Sequence, residues 1–136
     1  MKLNRRDMLI GAGGLVAAGA APALAQPAIL RPGDQLLSKG KGPRVVVAGG
    51  GWGGLSFARH MHKVAPNVEV VVLERNPIFF SCPMSNKWLI DVIDTNFLVH
   101  DMLGPSRAYG YTLVQTEITA FERDKKRVLT AKGSID

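Results

Sequence analysis

Two groups of residues in this chain have types and spacings that could take part in chemistry. The first is a glycine cluster in which Gly49, Gly51 and Gly54 form a G-x-G-x-x-G pattern. Glycines at this spacing let a backbone turn approach the phosphates of a dinucleotide without a side chain in the way. The second is Cys82, the single cysteine of the chain, which has no partner for an internal disulfide bond. The sequence therefore predicts a nucleotide site and leaves one thiol to be explained.

The segments around the glycines have the patterns that a dinucleotide site requires. Residues 44 to 50 form a short β-branched run typical of a buried strand, and residues 68 to 74 form a second one. Between them, residues 53 to 65 carry apolar side chains at helical spacing. A strand, a helix and a strand in this order make a βαβ unit with parallel strands. We therefore predict an α/β fold with a Rossmann-like domain.

The later segments predict smaller elements. Residues 75 to 86 indicate a loop that carries aromatic side chains, and residues 87 to 93 indicate a short helix. Residues 95 to 110 are expected to hold another helix. Residues 111 to 135 alternate β-forming residues around a turn at residues 124 to 126. This alternation indicates a β-hairpin or a β-meander after the βαβ unit.

An acidic residue closes the second strand of the predicted βαβ unit. Glu74 follows Gly54 by 20 positions, where a carboxylate accepts hydrogen bonds from an adenosine ribose and repels a 2′-phosphate. Arg75 beside it could receive such a phosphate, so NADP stays an alternative. Trp52, inside the glycine turn, could shield a pyrophosphate or simply pack. The fingerprint alone does not choose between NAD and FAD.

The N-terminus indicates export. Arg5 and Arg6 precede an apolar run that ends in an A-x-A sequence, as in a cleavable signal peptide, and paired arginines there are typical of the twin-arginine route. The run is short and weakly hydrophobic for a membrane anchor. We expect a signal peptide in residues 1–25, a leader or linker in residues 26–42 and the nucleotide-binding domain in residues 43–136. The expected location is the periplasm, without stable membrane insertion after cleavage.

Composition and histidine spacing exclude two other kinds of site. The formal net charge of +6 is spread along the chain, so we expect no nucleic-acid partner. His60 and His62 are two positions apart on the predicted helix and therefore point to different faces. We expect no metal site, and no Cys-x-x-Cys-His sequence for covalent haem is present.

Three segments together resemble the flavoprotein subunit of flavocytochrome c sulfide dehydrogenase, a relative of the sulfide:quinone reductases. They are VVVAGGGWGGLSFARHMHK at residues 45–63, VVLERNPIFFSCPMSN at residues 71–86 and FERDKKRVLTAKGSI at residues 121–135. The most specific part is the aromatic-x-Cys-x-x-Ser-Asn sequence that contains Cys82. The resemblance covers almost all of the chain after residue 43.

The resemblance implies FAD as the cofactor, joined by a thioether from Cys82 to the 8α-methyl group. It also implies oxidation of sulfide, with electrons passed to a c-type cytochrome subunit. Cys82 as a small buried side chain is the alternative, and Ser85 and Asn86 either cap the following helix or contact the cofactor. The expected cofactor-binding residues are Gly49, Gly51, Trp52, Gly54, Glu74, Arg75, Cys82 and Asn86.

The resemblance also implies parts that this sequence does not contain. The sulfide chemistry of the family needs two further cysteines and a second dinucleotide-like domain. We therefore expect no catalytic residue in this chain, which would be the N-terminal part of the FAD-binding domain, incomplete at its C-terminus. The alternatives are a non-catalytic, truncated dinucleotide-binding module and a quinone- or NAD(P)-linked flavoprotein oxidoreductase.

Overall fold

The computed structural model describes residues 34–136. The predicted signal peptide and the first part of the predicted leader, up to residue 33, lie outside the described residues. In chain order the elements are β1 (Arg44–Ala48), α1 (Trp52–Val64), β2 (Glu69–Glu74), β3 (Ile78–Phe80), α2 (Ser85–Trp88), a 3-10 turn (Thr95–Phe97), β4 (Val99–Asp101), α3 (Leu103–Tyr109), β5 (Thr112–Gln115), β6 (Ile118–Glu122), β7 (Arg127–Thr130) and β8 (Gly133–Ile135).

A parallel sheet in the order β1-β2-β5 forms the centre of the structure. Val45 of β1 pairs with Val70 of β2, and Val72 of β2 pairs with Leu113 of β5. The middle strand is covered on both faces, and Val71 and Val72 have no exposed surface. Its β-branched residues suit this position, because they pack well on a pleated sheet surface. The βαβ unit predicted from the sequence is confirmed.

The two faces of the parallel sheet carry different layers, because successive side chains of a strand point to opposite sides. Val70 and Val72 face helix α1, where they form a cluster with Ala58 and Tyr111. Val71 and Leu73 face the other way and form a cluster with Ile135 of β8. Strands β6, β7 and β8 form an antiparallel sheet. The predicted β-meander is therefore present and covers the second face.

Three predicted elements differ from the structure. Thr112–Gln115 lies in the parallel sheet next to β2 instead of beginning the meander. The segment after Glu74 is not only a loop, because Ile78–Phe80 pairs antiparallel with Val99–Asp101. The helix predicted for residues 87 to 93 is instead Ser85–Trp88, and the chain turns at Asp91, whose φ is 55°. A residue with positive φ cannot continue a right-handed helix.

The described part of the predicted leader is held against the domain. Leu36 donates its N–H to the carbonyl of Ser134 at 2.7 Å, and Leu37 packs on the cluster beside β8. The Arg44 guanidinium, whose side chain is 6% exposed, pairs with Glu69 at 2.8 Å and also donates to two backbone carbonyls. Within residues 34–136, no helix has both the length and the apolar character needed to cross a bilayer.

Candidate dinucleotide site

The glycine turn joins β1 to helix α1 at the carboxyl end of the parallel sheet. Gly49 has a φ of +102°, which side-chain-bearing residues rarely adopt, and its N–H donates to the carbonyl of Leu73 at 2.9 Å. A Cβ atom on Gly54 would overlap the carbonyl oxygen of Gly49. The turn is therefore tight, and α1 approaches it as closely as a glycine allows.

The amino end of helix α1 offers hydrogen-bond donors to a ligand. The helix begins at Trp52, and its N-cap residue is Gly51, so no side chain caps this end in the described structure. The first N–H groups of a helix have no partner within the helix and carry a partial positive charge. A Cβ atom on Gly51 would meet no atom within 4 Å. This open space beside free donors is the arrangement that binds a pyrophosphate.

The Glu74 carboxylate closes the turn from the side of β2. Its Oε2 accepts a hydrogen bond from the Gly50 N–H at 2.7 Å, and its Oε1 accepts from the N–H and the side-chain amide of Asn76, both at 2.8 Å. Burial alone raises the pKa of Glu74, but the donors of Asn76 and Gly50 lower it by more, so the pKa lies below its ordinary value. Glu74 is therefore ionised near neutral pH.

Two cavities border the glycine turn. One has a volume of about 370 Å³ and is lined by residues that include Gly49, Glu74 and Arg75. The other has a volume of about 520 Å³, and Gly50, Gly51 and Glu74 are among its lining residues. These volumes are in the range of small-molecule sites. Because Glu74 lines both, a nucleotide placed across them would contact its carboxylate.

Cys82 lies on the loop between β3 and α2 and is exposed. The loop is held by backbone hydrogen bonds, in which the N–H of Ser81 donates to Leu98 at 2.8 Å and the N–H of Ser85 donates to Cys82 at 3.0 Å. The neighbours of Cys82 in sequence, Ser81 and Pro83, line a third cavity of about 460 Å³ together with Trp52. The alternative that Cys82 is a small buried side chain is therefore wrong.

Comparisons with known proteins give the family. The chain is 46% identical over 43 residues to the "Sulfide dehydrogenase [flavocytochrome c] flavoprotein chain" of Chlorobaculum thiosulfatiphilum, a match that covers 32% of this chain and 90% of that sequence. The chain belongs to this flavoprotein family. The resemblance found in the sequence is confirmed, and FAD is the cofactor that the family supports. No protein-family model matches the sequence.

Two solved structures show the same fold as this flavoprotein. The sulfide:quinone oxidoreductase of Aquifex aeolicus matches with a TM-score of 0.65 at 19% identity, over 69% of this chain and 22% of that one. The water-forming NADH oxidase of Lactobacillus brevis, bound to NADH, matches with a TM-score of 0.55 at 24% identity, over 68% of this chain and 22% of that one. The Rossmann-like α/β fold is thereby confirmed. The flavoprotein chain spans about a fifth of the length of either enzyme.

An aromatic contact connects the glycine turn of this flavoprotein to the segment that precedes Cys82. The rings of Trp52 and Phe79 meet edge to face, with centroids 5.1 Å apart, and Phe79 also contacts His100 at 6.2 Å. Trp52 nevertheless keeps 56% of its surface exposed. The two interpretations of Trp52 are therefore compatible, because the ring packs on one side and stays open to a ligand on the other.

The other predicted site residues are exposed, and their roles stay predictions. Arg75 lines the first cavity beside Glu74, and no ion pair of its side chain is present among the described residues. Asn86 lies in the first turn of α2, whose N-cap residue is Met84 with a φ of 71° and no side-chain cap. Ser85 and Asn86 are therefore not capping residues, and the capping alternative is wrong.

The metal prediction concerns two exposed residues. His60 and His62 are both exposed, His62 lies beside Gly110, and residues 34–136 hold no cluster of three or more metal-binding side chains. Asn76, in contrast, was not singled out in the sequence and contacts Glu74 directly. Its position two residues after the acidic residue was the one signal that could have indicated it.

Proposed function

We propose that this chain is the FAD-binding N-terminal part of a periplasmic sulfide dehydrogenase, whose complete protein oxidises sulfide and passes electrons to a c-type cytochrome subunit. The observation that carries the proposal is the exposed Cys82, whose loop shares a cavity with Trp52 of the glycine turn. The name of the relative from Chlorobaculum thiosulfatiphilum supports the substrate and the cytochrome partner.

The described residues fit the adenosine diphosphate part of FAD. The uncapped start of α1 at Gly51 would donate N–H groups to the pyrophosphate. The ionised Glu74 would accept a hydrogen bond from a ribose hydroxyl, and its charge disfavours a 2′-phosphate. The bound FAD would supply the redox chemistry, and the protein would supply its position and its electrostatic surroundings.

A thioether at Cys82 would hold the flavin end. The bond would join Cys82 Sγ to the 8α carbon of the flavin, with loss of the thiol hydrogen and one methyl hydrogen. Two electrons leave with these hydrogens, and the electron acceptor of the enzyme must take them up. The exposure of Cys82 supports this role, because a thiol must be accessible to react.

The test of the linkage uses Cys82→Ser. Protein with the wild-type sequence should stay yellow after acid precipitation, and its tryptic peptide around Cys82 should carry the mass of FAD. The Cys82→Ser protein should bind FAD but release it into the acid supernatant, whereas Ser85→Ala, three positions away, should behave as the wild type. Retention of FAD by the Cys82→Ser precipitate would contradict the linkage.

The test of the reaction uses the protein expressed from its complete reading frame together with its cytochrome. Anaerobic addition of sulfide should bleach the flavin absorbance and then reduce the haem. We assign this chemistry to the whole protein, because this chain has one cysteine. A flavin that stays oxidised in excess sulfide would overturn the proposed activity. Bleaching followed by reduction of a quinone or a nicotinamide instead of the haem would assign a different acceptor.

Export can be tested independently of the redox reaction. We propose the twin-arginine route because of Arg5 and Arg6. Replacing both with lysine should leave the precursor in the cytoplasm, whereas the wild type should be cleaved and recovered in the periplasmic fraction. Export of the double variant at the wild-type level would contradict this route.

A further inference from the structure

The carboxylate of Glu74 is held by three donors before any ligand binds. The Gly50 N–H reaches Oε2 at 2.7 Å, and the backbone N–H and the side-chain amide of Asn76 both reach Oε1 at 2.8 Å. Two of the three donors therefore belong to Asn76. A carboxylate has about four acceptor sites in all, so three are occupied and one is left for a ligand.

Among the described residues, Asn76 makes hydrogen bonds to Glu74 alone. Its side chain is exposed. Pro77 follows directly and restricts the backbone of Asn76 to extended conformations. Asn76 lines both cavities beside the glycine turn, as Glu74 does. The residue therefore lies at the candidate nucleotide site.

We infer that Asn76 is a positioning residue, whose two donors orient the Glu74 carboxylate toward the ribose of the nucleotide. The inference rests on the proposed function for the identity of the nucleotide as FAD. Asn76 acts through Glu74, and its side-chain amide supplies the donor that a substitution can remove. The backbone N–H of residue 76 stays in place in such a variant.

The same contacts make nucleotide binding depend on pH. The donors of Asn76 and Gly50 help to keep the pKa of Glu74 below its ordinary value despite burial. The other charged groups that line the cavity are Arg75, the next residue along the chain, and Glu117 of the β5–β6 connection. Neither pairs with Glu74 in the described structure. Loss of the Asn76 amide should therefore raise the pKa of Glu74, because no neighbouring charge replaces it.

The experiment uses the complete protein with the Cys82→Ser substitution, in which FAD can exchange. FAD affinity is measured by quenching of flavin fluorescence between neutral and acidic pH. Asn76→Ala should weaken FAD binding about 3- to 10-fold at neutral pH, as expected for one lost hydrogen bond. In this variant the loss of FAD affinity on acidification should also occur at a higher pH than in the parent. Asn76→Asp, which replaces the donor with a second carboxylate, should move this loss to a still higher pH.

The matched control is Asn67→Ala, an exposed asparagine before the other end of β2, which should change neither the affinity nor its pH profile. Equal affinity and equal pH profiles for Asn76→Ala and its parent would overturn the positioning role. An equal fall in affinity at every pH would also overturn it, because that result means a lost contact without an effect on Glu74. If the Cys82→Ser parent bound no FAD at neutral pH, the proposed function itself would fail.

Discussion

Replacing Gly54 with alanine should push helix α1 away from the glycine turn. The new Cβ atom would overlap the carbonyl oxygen of Gly49 and would lie 3.2 Å from the side chain of Val47. Overpacking of this kind typically costs about 1–3 kcal/mol, and we expect the upper end because a backbone oxygen cannot rotate aside. Alanine gains about 0.5–1 kcal/mol over glycine within a helix. The expected net loss is therefore about 2 kcal/mol of unfolding free energy.

The neighbouring glycine provides the matched control. A Cβ atom on Gly53 would meet no atom within 4 Å, so Gly53→Ala should raise the unfolding free energy by about 0.5–1 kcal/mol. Urea unfolding followed by far-ultraviolet circular dichroism measures both variants against the wild type. A difference of about 3 kcal/mol between the two alanine variants is expected. Equal stabilities would refute the close approach of α1 to Gly49, and with it the geometry of the site.

Two further substitutions test the surroundings of the sheet by the same unfolding measurement. Arg44→Met should lower the unfolding free energy by about 2 kcal/mol, because Glu69 and two backbone carbonyls lose their donor. The control Arg123→Met, at an exposed position on the β6–β7 turn, should change the unfolding free energy little. Equal effects of the two substitutions would contradict a structural role for Arg44. Tyr111→Phe should raise the unfolding free energy by about 1 kcal/mol, because the buried Tyr111 hydroxyl has no hydrogen-bond partner among the described residues. A loss of stability in Tyr111→Phe would show that this hydroxyl has a partner.

The sequence predicted the elements whose signals are local. Gly49 and Gly54 could be assigned to the turn because their spacing after a β-branched run has few structural solutions. The partners of β3 and β5 could not be predicted, because Phe79 pairs with His100 across a long connection and Leu113 pairs with Val72 of a distant strand. Such pairing depends on the packing of the whole domain. The alternation of apolar and polar residues along the chain does not indicate which strands will be neighbours.

The exposure of Cys82 could not be predicted from the neighbouring residues either. Phe79 and Phe80 before it are the kind of residues that bury a small thiol, yet Phe80 keeps 45% of its surface exposed. The reason is the short antiparallel pair of β3 and β4, which has only two strands. A two-stranded pair cannot cover both of its faces. Only the resemblance to a flavoprotein family indicated that this thiol would be accessible.

The described residues determine the geometry of the candidate site more fully at its adenosine end than at the end near Cys82. At the adenosine end, Glu74 joins the glycine turn through the Gly50 N–H at 2.7 Å, so the ribose acceptor and the pyrophosphate donors are fixed relative to each other before a nucleotide binds. Binding there costs little conformational entropy, because few groups must be ordered. At the other end, Cys82 lies on an exposed loop. Under the proposed thioether linkage, a ligand anchored first at Glu74 would bring its flavin to Cys82 at a high effective concentration, which would favour reaction of this exposed thiol with FAD over other molecules.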